Sequence, residues 1–129
     1  MQLNDYLYTV TSSRTAGGEA TFTLALNAEC PIYAAHFPGH PVTPGVCIVQ
    51  TAKELLETVI GKPLNIVAVK NVKFLAVLSP DGAPQVECSV SKIQHAADGD
   101  EVSARVEMSC RGAAVAKISL TCKPHDDRH

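Results

Sequence analysis

The stretch HFPGHPVTPGVCIVQ, residues 36–50, carries the most specific signals in this sequence. Its first ten residues contain three prolines, two glycines and two histidines, which is typical of an ordered loop. The chain then continues into Val46–Ile60, where apolar residues recur at spacings of three and four. That period predicts an α-helix with a broad apolar surface.

Residues on both sides of this segment mark the ends of the predicted helix. Thr43 is expected to be the N-cap, and Pro44 the first helical residue, where its missing N–H has no cost. Gly61 and Pro63 follow the last apolar residue and are typical of a helix stop. The predicted helix is about 22 Å long at 1.5 Å per residue.

Alternating apolar and polar residues predict strands on both sides of the helix. The predicted strands are Leu7–Ser12, Ala20–Asn27, Asn65–Leu78, Gln85–Ile93, Glu101–Cys110 and Ala113–Cys122. The polar tail, residues 123–129, is expected to fray. Because apolar residues cover most of the helix circumference, we expect an antiparallel sheet wrapped around it.

Composition limits the classes of protein to consider. The 129 residues suit one domain, and 46% apolar residues are sufficient for a core. A net charge of −2 does not suggest nucleic-acid binding, and no apolar run is long enough to predict a membrane span. Five cysteines without a C-x-x-C pair, and the absence of a visible signal peptide, favour free thiols in the cytoplasm.

The loop before the helix resembles that of the 3-hydroxyacyl-acyl carrier protein dehydratases (FabA/FabZ-like) of fatty-acid synthesis. The matching residues are His36, Phe37, Pro38, Gly39, Pro41, Val42, Pro44, Gly45 and Val46. The resemblance implies an α+β hot-dog fold over residues 1–129, in which a curved sheet of about six strands surrounds one long helix. It also implies a 3-hydroxyacyl thioester substrate on acyl carrier protein or coenzyme A, with no metal or other cofactor.

The resemblance further implies a homodimer or larger homo-oligomer whose active sites are shared between subunits. His36 matches the catalytic loop histidine, and the Gly45 N–H matches the donor to the thioester carbonyl. Val46 and Phe37 would contact the substrate. Family members carry Glu or Asp fourteen residues after the histidine, on the partner's helix, and here that position is Gln50.

Dehydration needs a base for the proton beside the carbonyl and a proton for the departing C3 hydroxyl. A neutral imidazole suits the first task, but an amide cannot give up a proton near neutral pH. Three sources of the proton stay open. His36 could return it, Glu54 could supply it from one turn beyond Gln50, or an acid-bearing homologue could supply it in a heterodimer.

The sequence therefore predicts a hydro-lyase, with activity weakened by Gln50. The alternative is a catalytically deficient partner or binding subunit that pairs with an acid-bearing dehydratase. A third possibility is an acyl thioesterase, since the same fold has both activities, and fold alone does not decide function.

Overall fold

A computed structural model describes residues 2–35, 39–97 and 99–125. Six strands and two helices make up this part of the chain. In order, they are β1 (Tyr8–Ala16), β2 (Glu19–Leu26), α1 (Pro31–Ala35), α2 (Gly45–Ile60), β3 (Leu64–Phe74), β4 (Gln85–His95), β5 (Val102–Cys110) and β6 (Ala113–Pro124). The predicted order of two strands, one long helix and four strands is confirmed.

All six strands form one antiparallel sheet in the order β1-β2-β4-β5-β6-β3. Strands β4, β5 and β6 follow each other as hairpins, whereas β3 crosses the sheet to pair with β6. Strands β1 and β3 therefore form the two edges. This is the α+β hot-dog architecture that the resemblance implied.

Helix α2 is confirmed, but its predicted N-cap is wrong. The helix begins at Gly45, and Pro44, not Thr43, is the N-cap, with extended backbone and no side-chain capping bond. The Thr43 hydroxyl instead shares a hydrogen bond of 2.8 Å with the Tyr33 hydroxyl. At the other end Gly61 adopts the predicted left-handed conformation, φ 87°, and its N–H donates to the Glu57 carbonyl at 2.7 Å.

Three local features differ from what the sequence indicated. Helix α1 lies in a segment for which no helix or strand was predicted. Strand β6 contains a bulge, because Ser109 pairs with Ala114 while Met108 pairs with Ala116, so Ala114 is exposed rather than inward. The tail does not fray at 123, since β6 runs to Pro124, and residues 126–129 lie outside the described part.

The core lies between α2 and the inner face of the sheet. The side chains of α2 that are buried there are Cys47, Ile48, Thr51, Ala52, Glu54, Leu55 and Leu56. The apolar ones among them pack with the inward residues of β2, β4, β5 and β6 in one continuous cluster. In the described part, no helix is long and apolar enough to cross a membrane.

Strand β3 is the exception to this burial. Its register with β6 places Ile66, Val69, Val72 and Phe74 on the inner face, opposite Cys122, Leu120, Ile118 and Ala116. Each of these four side chains is nevertheless more than a third exposed. We call this surface the apolar edge: Ile66, Val69, Val72 and Phe74.

Candidate active site

The first turn of α2 presents backbone N–H groups at the end of the residues 36–50 stretch. The N–H groups of Cys47 and Ile48 both donate to the Pro44 carbonyl, at 2.9 and 3.1 Å. The N–H groups of Gly45 and Val46 precede these, at positions where a helix has no acceptor of its own. A helix N-terminus also carries partial positive charge, so this turn suits a developing oxyanion.

Apolar side chains surround this turn. The Phe74 ring lies against Gly45, and a Cβ added to that glycine would be 3.0 Å from the ring's Cζ. Val46 is 76% exposed at the same end of the helix. Gly45 therefore joins α2 to the apolar edge of β3, and a larger residue there would displace the ring.

Hydrogen bonds hold the segments on both sides of residues 36–38. Tyr33 of α1 precedes it and Thr43 follows it, and their hydroxyls share the hydrogen bond already described. The Thr43 N–H also donates to the Leu78 carbonyl at 2.8 Å. Burial raises the pKa of Tyr33, so its hydroxyl keeps its proton near neutral pH. His36 and Phe37 themselves lie outside the described residues.

Glu54 lies in the middle of α2 and is only 3% exposed. Its carboxylate accepts hydrogen bonds from the backbone N–H groups of Leu3 and Asn4, at 2.7 and 2.8 Å. The Tyr8 hydroxyl and the Gln50 Nε2 also donate to it, each at 2.8 Å. A carboxylate has about four lone-pair sites, so these four donors fill the hydrogen-bonding capacity of Glu54. Glu54 thus holds the N-terminal segment against the helix.

Gln50 takes a fixed orientation from this contact. The amide nitrogen of Gln50 donates to Glu54 Oε2 at 2.8 Å, so the Gln50 Oε1 points the other way. Tyr8 supports the same assignment. Burial, followed by its hydrogen bond to Glu54, raises the Tyr8 pKa, which keeps the phenol a donor.

The other polar groups on this part of α2 also have structural partners. Glu57 accepts from the Leu64 N–H at 2.7 Å and forms an ion pair with Lys53 at 3.4 Å. Burial raises the pKa of Cys47, which suits a packing residue better than a nucleophile. Among the described residues, no group of three His, Cys, Asp or Glu side chains could hold a metal ion.

The structure thus brings Gly45, Val46 and Gln50 together along one helix, and it directs Glu54 toward the N-terminal segment. Sequence analysis missed helix α1 and the network around Glu54. Pro31, a residue favoured at the first position of a helix, could have indicated α1. The contacts of Glu54 join residues 46 to 51 positions apart, and no local pattern indicates them.

Comparison with known proteins decides the family. The family model for the ApeI dehydratase matches residues 12–112. This chain belongs to the ApeI-like dehydratase family. The matched range contains strands β2 to β5 in full, part of β1, both helices and the complete 36–50 stretch, and it ends before β6.

Other relatives of this ApeI-like chain are also dehydratases by name. The 3-hydroxyacyl-[acyl-carrier-protein] dehydratase FabZ of Rickettsia typhi is 26% identical over 101 residues, covering 72% of this chain and 68% of the relative. FabZ of Fusobacterium nucleatum is 29% identical over 103 residues, covering 76% and 69%.

Among solved structures, the dehydratase heterocomplex ApeI:P from Xenorhabdus doucetiae has the same fold. It superposes with a TM-score of 0.69 at 16% identity, over 89% of this chain and 96% of that one.

Proposed function

We propose that this chain acts on 3-hydroxyacyl thioesters and removes water to give the 2-enoyl thioester. The observation that carries the proposal is the motif of residues 36–46 leading directly into the unpaired N–H groups of α2. Family membership supports a dehydratase, and the FabZ relatives are named for an acyl carrier protein substrate. We propose that the substrate is carried by acyl carrier protein or coenzyme A.

In this proposal His36 is the base that removes the C2 proton, as a neutral imidazole can near pH 7. The Gly45 N–H donates to the thioester carbonyl as negative charge develops there. Val46 and Phe37 contact the acyl portion. In the shared site that the resemblance implies, the Gln50 side chain comes from the helix of the second copy and orients the C3 hydroxyl or a water molecule.

The proton that leaves with the hydroxyl must come from another group than Gln50. Glu54 is a poor donor for the site, because its carboxylate is buried and already accepts four hydrogen bonds. We therefore propose that His36 returns the proton it removed. Loss of a separate general acid would lower the rate by about 10²–10⁴-fold relative to a complete site.

We also propose that two copies pair through the β3 edges, with the apolar edge buried between them. An edge strand with exposed apolar side chains and unpaired backbone groups favours pairing with another chain. Val69→Lys should shift the protein toward monomer in sedimentation velocity. Thr9→Lys, on the opposite sheet edge, is the matched control and should leave the oligomeric state unchanged.

A second candidate function is a partner subunit in a mixed dimer. It is favoured by the chemistry of α2, whose two carboxylates near Gln50 are both held by structural hydrogen bonds. In such a dimer this chain would supply His36 and an acid-bearing homologue would supply the proton donor. The structurally similar ApeI:P protein is a dehydratase heterocomplex, which supports such pairing.

The deciding experiment measures enoyl product from a 3-hydroxyacyl-carrier thioester with wild type, His36→Ala and Gln50→Glu. Turnover by wild type that is lost in His36→Ala would support the enzyme. No turnover by wild type, with recovery when an acid-bearing homologue is added, would support the partner subunit. Release of free thiol without enoyl product would instead indicate a thioesterase and would contradict both.

A further inference from the structure

A hollow of about 260 Å³ opens on the outer face of the sheet, away from α2. We call it the outer hollow and define it by its polar lining residues: Lys70, Lys92, Ser103, Arg105, Ser119 and Thr121. Within the described part of the chain, no carboxylate lines it. Three cations and three hydroxyl groups therefore meet on a surface that the proposed reaction does not use.

Two strand irregularities supply lysines to this hollow. In β3, Val69 pairs with Leu120 and Asn71 with Ser119, so Lys70 is an extra residue. Val69 is on the inner face and Asn71 on the outer one, so the extra residue lets two successive side chains, those of Lys70 and Asn71, lie on the outer face. A bulge of this kind re-aims a side chain, and here it places a lysine in the outer hollow.

A second irregularity, in β4, also places a lysine in the outer hollow. The pairing shifts between Ser91 and Gln94, and the lysine between them, Lys92, lines the outer hollow. Its φ is +52°, a left-handed conformation that side-chain-bearing residues rarely adopt. Backbone strain of this kind persists mainly where function requires it. Each of the two bulges thus adds a lysine to the outer face, and both lysines line the outer hollow.

The positive charge of the outer hollow is only partly compensated, because Arg105 has an ion pair and the two lysines have none among the described residues. The nearest carboxylate to Arg105 is that of Glu107, 3.5 Å from Nη2, and Glu107 is shared with Lys117 at 3.8 Å. For Lys70 and Lys92, no carboxylate of the described residues lies within ion-pair distance. Like charges held close together on a sheet are unfavourable, and a bound anion would relieve this repulsion.

Thr121 provides an independent indication of a ligand. Its side chain is 8% exposed, and its hydroxyl has no hydrogen-bond partner among the described residues. Buried polar groups are normally paired, and this oxygen lies just behind the wall of the hollow with less than 1 Å² of accessible surface, so a small rotation of the side chain would let it meet a bound ligand. Ser103 lies opposite Thr121 on the next strand, and Ser119 lies two residues away on the same face.

We propose that the outer hollow binds a phosphate group, either as inorganic phosphate or as the phosphate of a small phosphorylated molecule. An arginine fork, two ammonium groups and three hydroxyls are donors that match the several acceptor oxygens of phosphate. The site is on the opposite face of the sheet from α2, so its occupancy does not depend on the proposed dehydratase activity.

The test is a titration of the full chain with inorganic phosphate, followed by ¹H–¹⁵N NMR at ionic strength held constant with sodium chloride. We expect saturable shifts centred on the amides of Ser103, Ser119 and Thr121. Arg105→Ala should weaken binding by about tenfold or more, because a hydrogen bond to a charged group is lost. Lys62→Ala removes a cation elsewhere on the surface and is the matched control.

Lys92→Gly separates binding from folding. Glycine tolerates a positive φ, so this variant should melt no lower than wild type while it binds phosphate more weakly. A simple phosphate monoester provides the second arm of the titration. Tighter binding of the monoester would indicate a phosphorylated small molecule, and equal binding would indicate free phosphate.

Shifts that stay linear with phosphate concentration would overturn the proposal. So would equal weakening in Arg105→Ala and Lys62→Ala, since that result would mean only general charge screening. Unchanged affinity in Lys92→Gly would show that the bulge in β4 does not serve this site.

Discussion

Replacing Gln50 by glutamate should create a pair of carboxyl groups that share one proton. In the wild type the Gln50 Nε2 is 2.8 Å from Glu54 Oε2. A carboxylate oxygen in its place would face a like charge at hydrogen-bond distance. At an effective dielectric constant near 20, two charges at that distance repel by about 6 kcal/mol, roughly four powers of ten in a proton-binding constant. One of the two groups should therefore keep its proton at neutral pH.

The raised pKa of this pair has two consequences. A protonated carboxyl at position 50 is the general acid that the wild type lacks, so dehydration should accelerate by up to about 10²–10⁴-fold. The folded variant also binds a proton that the unfolded chain releases above its ordinary pKa of about 4.3. Its stability should therefore fall as pH rises above that value, by about 1.4 kcal/mol per pH unit, until the raised pKa is passed.

The assay is enoyl formation from about pH 5 to 9, together with urea unfolding over the same range. The double variant Gln50→Glu/Glu54→Gln is the control, because it has one carboxyl and no like-charged neighbour. It should lack the falling stability slope and should lose its acid function at lower pH. If Gln50→Glu and the double variant gave the same pH profiles, the two side chains would not be coupled and the reasoning would be refuted.

Three further predictions follow from buried or crowded positions. Glu54→Ala leaves the buried N–H of Leu3 and the partly buried N–H of Asn4 without an acceptor, so urea unfolding should show a loss of about 2–5 kcal/mol. The exposed Glu87→Ala is the control and should change stability by less than about 0.5 kcal/mol. Gly45→Ala should displace the Phe74 ring and weaken substrate binding, with less than about 1 kcal/mol change in stability, and adding Phe74→Leu should restore binding. Burial raises the Cys88 pKa to about 12, so iodoacetamide near pH 8 should label it only through unfolding, with a rate that rises with urea.

The parts of the fold that the sequence predicted are those with a local period. Val46–Ile60 repeats at three and four residues, and its stop at Gly61 follows from a glycine that can adopt positive φ. Strand β5 alternates strictly and was located within one residue. Bulges cannot be predicted in this way. At Ala114, one extra residue reverses the alternation of β6, and only the pairing of β6 with β5 shows where the extra residue lies.

In the candidate site, too, features that depend on neighbouring residues could be predicted, and features that depend on residues distant in sequence could not. The 36–50 motif indicates the chemistry because its spacing is local: a histidine, a glycine at the start of a helix, and one side chain on that helix. Whether Glu54 can give a proton is instead decided by Leu3, Asn4 and Tyr8, which lie about fifty residues away and occupy its carboxylate. A glutamate one turn from Gln50 looks from sequence like an acid displaced along the helix. In the folded chain it is an anchor for the N-terminal segment, and it leaves position 50 as the place where a single substitution should decide between enzyme and partner.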